Sequence, residues 1–327
     1  SAHACAIPAI MSARVIENHR DRLATMLVIP LMTCSARVPV YVMLIALLFP
    51  DNWLYASLLF WGAYALGIVA AVSMAFVLKK TILPGKTSPM VIELPNYRVP
   101  SLRNALLLTL DRAWVFIKQA GTIILVISVI LWFLGTYPKM SPSEVPANVS
   151  AQVTELQQQA EAVATTQPEV ADQFTAQAEN LLAAAQLEHS FAGQIGHIIE
   201  PVFKPLGYDW KISVGVLSSF AAREVIVSSL AVIYGLGEDA PEEAEGSVYS
   251  ALRASTWPDG TPVFNVATCL SLLVFFVLAM QCLPTQAVTK RETNSWKWPV
   301  FQLTYMSVLA YVSALIVYQV AAAQIGR

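Results

Sequence analysis

Long apolar runs separated by short polar segments dominate the chain, and this pattern predicts helices that cross a membrane. A helix needs about 20 predominantly apolar residues to span the hydrocarbon core of a bilayer. Four runs reach this length with few or no charges: Leu54–Leu78, Phe116–Leu134, Phe264–Leu283 and Trp298–Val320. Tryptophan and tyrosine residues at their ends match the aromatic belts of membrane–water interfaces. The pattern therefore predicts an all-α, polytopic membrane protein.

Two further runs, Leu23–Phe49 and Ile212–Tyr234, are long enough to span but are interrupted near the middle. The interrupting residues are prolines and charges: Pro30, Arg37, Pro39, Arg223 and Glu224. Irregular backbone at membrane depth is tolerated only where it is buried in protein or lines a wet cavity. Both runs are therefore predicted to be discontinuous or re-entrant helices.

The charges of the connecting loops predict the orientation, because cytoplasmic loops carry an excess of Lys and Arg. Residues 79–118 carry seven basic and two acidic residues, whereas residues 137–190 carry one basic and seven acidic residues. The first loop is therefore predicted inside and the second outside. Residues 236–262 are acidic and residues 286–297 are basic. This distribution agrees with the positive-inside rule only if the segment Ile212–Tyr234 enters the membrane from outside, turns near Ala222–Glu224 and leaves on the same side.

The outer loop has a composition of its own. Residues 144–187 are rich in Ala, Gln and Glu, and they contain Pro168 near the middle. Two sets of apolar residues recur at helical spacing: Val149, Val153, Leu156 and Val163, then Val170, Phe174, Leu181 and Leu182. This spacing predicts two amphipathic helices in a hairpin, which acts either as a solvated spacer or as a functional element.

The composition narrows the classes of function. Hydrophobic residues make up 56% and charged residues 13% of 327 positions, and the net charge of -2 does not suggest nucleic-acid binding. The chain contains no His-Glu-x-x-His, Gly-x-Ser-x-Gly or Gly-x-x-x-x-Gly-Lys-Ser/Thr motif. His197 and Glu200 share a helical face, which fits a surface hydrogen bond better than a membrane metallohydrolase. We expect a transport domain, not an enzyme.

Cysteines at the predicted breaks suggest a metal pathway. Three of the cysteines lie near a proline or a charge: Cys5, Cys34 and Cys282. Cys269 lies in a plain apolar run, where we expect it to pack as a small hydrophobic side chain. Thiolates and thioethers suit Fe²⁺, Cu⁺ or Zn²⁺ better than Na⁺ or Mg²⁺. The candidate ligands and the residues that shape the breaks are Cys5, Cys34, Cys282, Met280, Pro8, Pro39 and Pro284.

Charges at membrane depth are unfavourable, because each costs about 2.5–3.5 kcal/mol on insertion scales. Arg37 either caps carbonyls freed by Pro39 or lines the pathway. Arg223 either neutralises Glu224 or lines the pathway, and a carboxylate at a helix break is a natural cation ligand. We therefore include Glu224 among the candidate metal ligands.

A short motif, Met-x-Cys, occurs in both halves of the chain and predicts an inverted repeat of two gate modules. Met32-Thr33-Cys34 and Met280-Gln281-Cys282 each follow an apolar run and lie near a proline. Each is preceded by a short motif at a predicted break, Cys5-Ala6-Ile7-Pro8 in one case and Ala221-Ala222-Arg223-Glu224 in the other. By the loop charges, span 23–49 runs outward and span 264–283 runs inward, as in transporters with inverted repeats.

Several stretches carry a family resemblance: Ala4–Met11, Cys34–Tyr41, Glu93–Arg103, Phe220–Val225 and Lys290–Trp298. They closely resemble the first gate, the middle region and the second gate of the FeoB ferrous-iron transporters. The chain departs from the usual pattern in having Ala4-Cys5-Ala6 where the family has Gly-Cys-Asn, and Arg223 where it has Lys. Both changes keep the thiol and the carboxylate.

The resemblance implies Fe²⁺ transport across the bacterial inner membrane, gated by an amino-terminal G domain that would bind GTP and Mg²⁺. That domain is not in this sequence, and because the chain does not open on Met we expect it to be a fragment. The expected organisation is a partial first gate at 1–50, a middle transmembrane region at 51–135 with a cytoplasmic loop at 79–115, an extracytoplasmic hairpin at 136–190 and a second gate at 191–327.

The expected partners are membrane lipid, the G domain of the same polypeptide and small accessory Feo proteins. A homo-oligomer is left open, and nucleic acid is not expected. The main alternative is a nucleoside-type or other solute carrier built on the same gate modules. Such a carrier would need polar Asn, Gln, Glu and Ser side chains at both breaks, where this chain offers thiols.

Overall fold

The computed structural model describes residues 2–50, 52–84, 101–141, 145–163, 168–220, 223–234, 249, 252–257 and 260–325. The predicted motif at Glu93–Arg103 lies largely outside these residues. The main helices, in chain order, are α1 Ala6–Ser12, α2 His19–Val28, α3 Val38–Leu48, α4 Trp53–Thr81, α5 Leu102–Phe116, α6 Thr122–Thr136, α7 Ala147–Val163, α8 Pro168–His189, α9 Phe191–Phe203, α10 Trp210–Ser218, α11 Val225–Ile233, α12 Val266–Leu278, α13 Leu283–Thr293 and α14 Lys297–Ile325. The part of the chain that is described is thus all-α apart from one isolated β-bridge between Thr256 and Pro262.

Four helical segments of the described residues are long and apolar enough to cross a membrane. They are 19–48, 53–81, 266–293 and 297–324. Two of the four are composite, because α2 and α3 are separated by irregular backbone at 32–34, and α12 and α13 by residues 279–282. The predicted polytopic all-α membrane protein is confirmed, and the first composite segment contains the interruption expected within Leu23–Phe49. The second was predicted as a plain span that ends at Leu283, whereas the chain continues past the break at 279–282 into α13.

The centre of the fold is the packing of α12 against α14, α3 and α4. The side chains at these contacts are fully buried, and small alanines on α14 let the helices approach: Tyr41, Leu44, Leu272, Phe276, Ala310 and Ala314. On α4, a Cβ at Gly67 would lie 3.0 Å from Thr33 Oγ1 and 3.3 Å from Leu31 O. Glycine therefore allows α4 to press against the break that follows α2.

Helices α10 and α11 form an antiparallel hairpin. At its open end the Tyr234 hydroxyl donates to Asp209 Oδ2 at 3.3 Å, and near the turn the hydroxyls of Ser218 and Ser229 are 2.9 Å apart. Both ends of the segment therefore lie together, so the predicted turn within Ile212–Tyr234 is present. The side of the membrane from which the hairpin enters stays a prediction.

Helices α7 and α8 also pack as a hairpin, but its seam differs from the predicted one. Buried positions recur at intervals of seven residues: Val153 and Ala160 on α7, and Ala171, Ala178 and Ala185 on α8. A seven-residue interval with small side chains is the spacing of a close coiled-coil-like contact. Alanine therefore forms much of a seam that we expected to consist of larger apolar residues, and Leu182 is 37% exposed.

The predicted span Phe116–Leu134 lies within a longer helical region, whose apolar helix Thr122–Thr136 is shorter than the four spanning segments. The chain is already helical from Leu102, passes through a π-helical turn at Ile117–Gly121 and continues to Thr136. Arg103 and Asp111 gave the first half a loop-like charge pattern, but its leucines maintain the helix. Residues 102–115 of the predicted cytoplasmic loop are therefore helical.

Candidate functional site at the helix breaks

Each cysteine predicted in the pathway lies at the start of a helical segment. Cys5 precedes α1 and Cys282 precedes α13, and both have extended backbone with φ of -154°. Cys34 precedes the 3-10 turn Ser35–Arg37, which leads directly into α3. A helix N-terminus has unpaired N–H groups and attracts negative charge. The three thiols therefore share one position, at the start of a helical segment and beside irregular backbone.

The three predicted gate prolines share one structural role. Pro8, Pro39 and Pro284 all lie in the first turn of the helix that follows a break, in α1, α3 and α13 respectively. Proline fits there because the first turn needs no internal N–H donor and its fixed φ favours helix initiation. The prolines thus restart the helices after each break.

The backbone after each break, at residues 32–34 and 279–282, is hydrogen-bonded to a turn that lies earlier in the chain. Near the amino end, Ser35 Oγ donates to Ala4 O at 2.8 Å, and His3 Nδ1 lies 3.0 Å from Thr33 O. In the second half, Leu283 N donates to Phe220 O at 3.1 Å. In both halves the backbone next to a cysteine is held by the turn that precedes it in the chain.

Arg37 is fully buried and holds the first break together. Its Nη1 donates to Leu31 O and Met32 O at 3.1 Å each, and its Nη2 donates to Pro30 O at 3.1 Å. These carbonyls belong to the irregular backbone between α2 and α3, so they lack helical donors. Arg37 caps carbonyls on the amino side of the break rather than carbonyls freed by Pro39.

One carbonyl is shared by two arginines. Ala279 O, which ends α12, accepts from Arg223 Nη2 at 3.2 Å and from Arg37 Nη2 at 3.4 Å. Arg223 is 4% exposed. Two guanidinium groups from different halves of the chain therefore meet at the second break, and Arg37 also links that break to the first.

The thiols are brought toward one another without forming a closed metal site. Cys5 interacts electrostatically with Cys282, Cys34 and Arg223, and Arg37 interacts with Cys34 and Cys282. Within the described residues, no three His, Cys, Asp or Glu side chains are close enough to hold one ion. Thr285 Oγ1 donates to Cys282 Sγ at 3.0 Å. The structure thus groups the thiols around the breaks in a conformation that does not enclose a cation.

The remaining predicted residues are found in different environments. Glu224 is exposed, and no ion pair joins it to Arg223 among the described residues. Met280 is 1% exposed within the core, and Cys269 is 1% exposed and belongs to the same core. The expected pairing of Arg223 with Glu224 is therefore not what the structure shows, because the guanidinium turns to Ala279 O.

A buried polar network around Gln302 was not predicted. Gln302 Nε2 donates to Met26 O and Leu27 O at 3.0 Å, and its Oε1 accepts from Gln286 Nε2 at 3.2 Å. The Tyr305 hydroxyl also donates to Leu27 O at 2.6 Å. Pro30 lacks the N–H that would serve Met26 O, so α14 supplies the donor. The sequence signal was Gln302 itself, an amide near the start of an apolar span.

His197 lies between two carboxylates at the surface. Its Nδ1 is 3.5 Å from Glu200 Oε2, its Nε2 is 3.9 Å from Glu188 Oε1, and its ring lies 4.8 Å from the Trp210 ring. Nearby, burial raises the pKa of the Asp209 carboxyl, while a hydrogen bond from Ile212 N–H acts in the opposite direction. These groups stabilise the start of α10 and form the surface contact expected of His197.

Two family models match the chain. The model described as nucleoside recognition, of the gate type, matches residues 1–48 and 117–296. The model described as the C terminus of ferrous iron transport protein B matches residues 60–112. No solved structure matches the chain.

Curated relatives match almost the whole chain. A Fe(2+) transporter FeoB of Leptospira interrogans is 41% identical over 98% of this chain and 42% of its own length. A FeoB of Leptospira biflexa is 38% identical over 98% of this chain and 41% of its own length. The chain thus spans less than half the length of these relatives. The chain belongs to the gate family described as nucleoside recognition, and its resemblance to the FeoB transporters is confirmed along nearly its whole length.

Proposed function

We propose that this chain is the membrane domain of a bacterial inner-membrane transporter for Fe²⁺. The observation that carries the proposal is the position of three thiols, at the starts of helical segments beside two central breaks. Cys5, Cys34 and Cys282 interact electrostatically with one another or with the same arginines. Soft sulfur ligands and free carbonyls at a break suit a ferrous ion better than an alkali cation.

Transport through these groups requires a rearrangement of the breaks. In the conformation described here, Ala279 O is occupied by two guanidinium groups and Cys282 Sγ accepts from Thr285. An ion that binds the thiols would compete with these contacts. A change at the tip of the α10–α11 hairpin, which carries Arg223, would free the carbonyl and open the second break.

The predicted inverted repeat fits this scheme and stays a proposal. In each half, a turn that lies earlier in the chain meets the break of a discontinuous helix, at Ala4 with Ser35 and at Phe220 with Leu283. The packing is reciprocal as well, since α1 contacts α13 and α11 contacts α3. Labelling of Asn294→Cys from the cytoplasmic side and Gly246→Cys from outside, in a background without reactive native thiols, tests the orientation. Gly246 lies outside the described residues.

The nucleotide-dependent parts of the activity belong to the same proposal. We place GTP and Mg²⁺ binding in a G domain outside this sequence, and we assign no enzymatic activity to the chain itself. One relative, from Porphyromonas gingivalis, is a fusion of Fe(2+) transport protein A with FeoB and is 37% identical over 97% of this chain. That fusion supports an accessory Feo protein as a partner.

Metal flux in proteoliposomes containing the full-length protein tests the function. We expect Cys5→Ser and Cys282→Ser to reduce Fe²⁺ flux strongly and Cys34→Ser to reduce it less. Cys269→Ser is the matched control, because that thiol is buried in the core away from the breaks. Equal flux in all four variants would refute a thiol pathway. Uptake of a nucleoside in place of Fe²⁺ would establish the alternative carrier.

Glu224 provides a second test of the pathway. Its side chain is exposed, so Glu224→Gln should leave thermal stability unchanged while reducing Fe²⁺ flux. Removing a carboxylate near the pathway lowers the local concentration of the divalent cation. A variant with normal flux would exclude Glu224 from the route.

A further inference from the structure

Two buried positive charges lie together at the breaks without an evident counter-charge. Arg37 is 0% exposed and Arg223 is 4% exposed, and their charges repel each other. Among the described residues, no carboxylate lies within ion-pair distance of either guanidinium. A buried charge is strongly unfavourable unless it is paired and hydrogen-bonded. The carbonyls around the arginines supply partial charges only.

Several hydrogen-bond donors at the same place also lack an acceptor. Nε of Arg37, Nε and Nη1 of Arg223, and the side-chain amide of Gln281 are buried and have no partner in the described part of the chain. The buried hydroxyls of Tyr41 and Thr33 lie close enough to share one hydrogen bond, which leaves one of them to donate elsewhere, and Tyr41 interacts electrostatically with both arginines. Guanidinium N–H groups only donate, and a hydroxyl can rotate to donate. The two arginines, Tyr41 and Thr33, which we call the central donor cluster, therefore require an acceptor.

We propose that the central donor cluster binds a small inorganic anion of about the size of chloride. A spherical anion accepts from several donors at once and supplies the missing negative charge. A divalent cation would be repelled by two guanidinium groups here, so the transported ion does not account for the cluster. All four side chains are less than 5% exposed, which favours a small, dehydrated ligand over an organic anion.

The anion would have a consequence for transport, which rests on the function proposed above. The same arginines interact electrostatically with Cys5, Cys34 and Cys282. Unbalanced guanidinium groups repel a divalent cation that approaches those thiols. A bound anion removes much of that repulsion, so the cation pathway would depend on an anion that need not itself be transported.

Thermal unfolding of the full-length protein in nanodiscs tests anion binding without iron. Chloride is titrated against gluconate at constant ionic strength. We expect wild type to be stabilised by chloride with a saturating dependence, as for any ligand that binds only the folded state. Tyr41→Phe removes one donor without changing the charge, and we expect the apparent chloride affinity to fall about tenfold. Tyr311→Phe is the matched control, because its hydroxyl donates to Val202 O at the surface.

A second variant and a direct measurement complete the test. Arg223→Gln should abolish the chloride dependence, whereas Arg253→Gln, at an exposed arginine, should retain it. Crystals grown with bromide should show anomalous scattering within hydrogen-bond distance of Arg223 and Tyr41. The proposal is wrong if wild type shows no saturating chloride effect, or if Tyr41→Phe and Arg223→Gln respond like wild type. Fe²⁺ flux in chloride-containing buffer tests the transport function separately, since anion binding is measured here without metal, and the loss of flux in chloride-free buffer tests the dependence of the pathway on the anion.

Discussion

The two discontinuous helices differ in which residues hydrogen-bond to the backbone groups at their breaks. At the first break, Arg37 from the same module caps the carbonyls of residues 30–32, and His3 meets Thr33 O. At the second break, Ala279 O and Leu283 N are paired with Arg37, Arg223 and Phe220, all distant in the sequence. The first break is therefore held mainly by residues of its own half of the chain. The second depends on the α10–α11 hairpin, so a movement of that hairpin changes it first.

Loss of Arg37 should have the largest effect, because this residue serves both breaks. Arg37→Gln leaves several buried carbonyls without donors, and we expect a loss of about 3 kcal/mol or more in the free energy of unfolding. Thermal unfolding in nanodiscs measures it. Arg253→Gln is the control, since that exposed guanidinium serves only Ala46 O. Similar stability of the two variants would contradict the assignment of Arg37 as the residue that holds both breaks together.

Gln302 tests whether α14, in the other half of the chain, also stabilises the first break. Gln302→Leu removes donors from Met26 O and Leu27 O, and we expect a loss of about 2 kcal/mol in unfolding free energy. Gln319→Leu on the same helix is the control, because its amide is exposed and makes a single bond to Pro205 O at 3.4 Å. If both variants unfold at the temperature of wild type, the network is not a support of the break.

The hairpin that holds the second break can be perturbed through its packing. A Cβ at Gly215 would lie 3.0 Å from Ile226 Cγ1, so Gly215→Ala pushes α10 away from α11. We expect destabilisation of about 1 kcal/mol and faster hydrogen exchange at residues 279–283. Gly62→Ala is the control, because a Cβ there meets nothing within 4 Å and alanine favours the helix. An unchanged rate of hydrogen exchange at residues 279–283 would show that the second break does not depend on the packing of the α10–α11 hairpin.

Prolines and a charge inside Leu23–Phe49 predicted the first break, because a continuous helix at membrane depth accommodates both of them poorly. The second break lies at the end of Phe264–Leu283, which the apolar pattern predicted as a plain span. The turn within Ile212–Tyr234 was also predictable, since the loop charges conflict with a full crossing. The residues that hydrogen-bond to the breaks could not be predicted from the sequence. Gln302 meets Met26 O from 276 positions away, and Arg223 turns from adjacent Glu224 to Ala279 O. Such pairings depend on how the helices pack, and periodicity contains no information about them.

The ion pair between Arg14 and Glu292 joins the two modules at the predicted cytoplasmic side. Arg14 Nε donates to Glu292 Oε2 at 2.7 Å, and Nη2 donates to Oε1. The Arg14 side chain is 52% exposed and that of Glu292 is 6% exposed. Solvent screens the exposed partner, so we expect a coupling of only about 0.5–1 kcal/mol.

The two single variants should nevertheless differ. Arg14→Gln leaves a nearly buried carboxylate without its partner, whereas Glu292→Gln leaves an arginine that water can solvate. Arg14→Gln should therefore be the more destabilising of the two, and the exchanged pair Arg14→Glu with Glu292→Arg should recover only part of the loss, because it buries the guanidinium. Thermal unfolding of the four proteins as a double-mutant cycle, at low and high salt, measures the coupling. Equal losses in the two single variants would show that the ion pair is solvated throughout and does not link the modules.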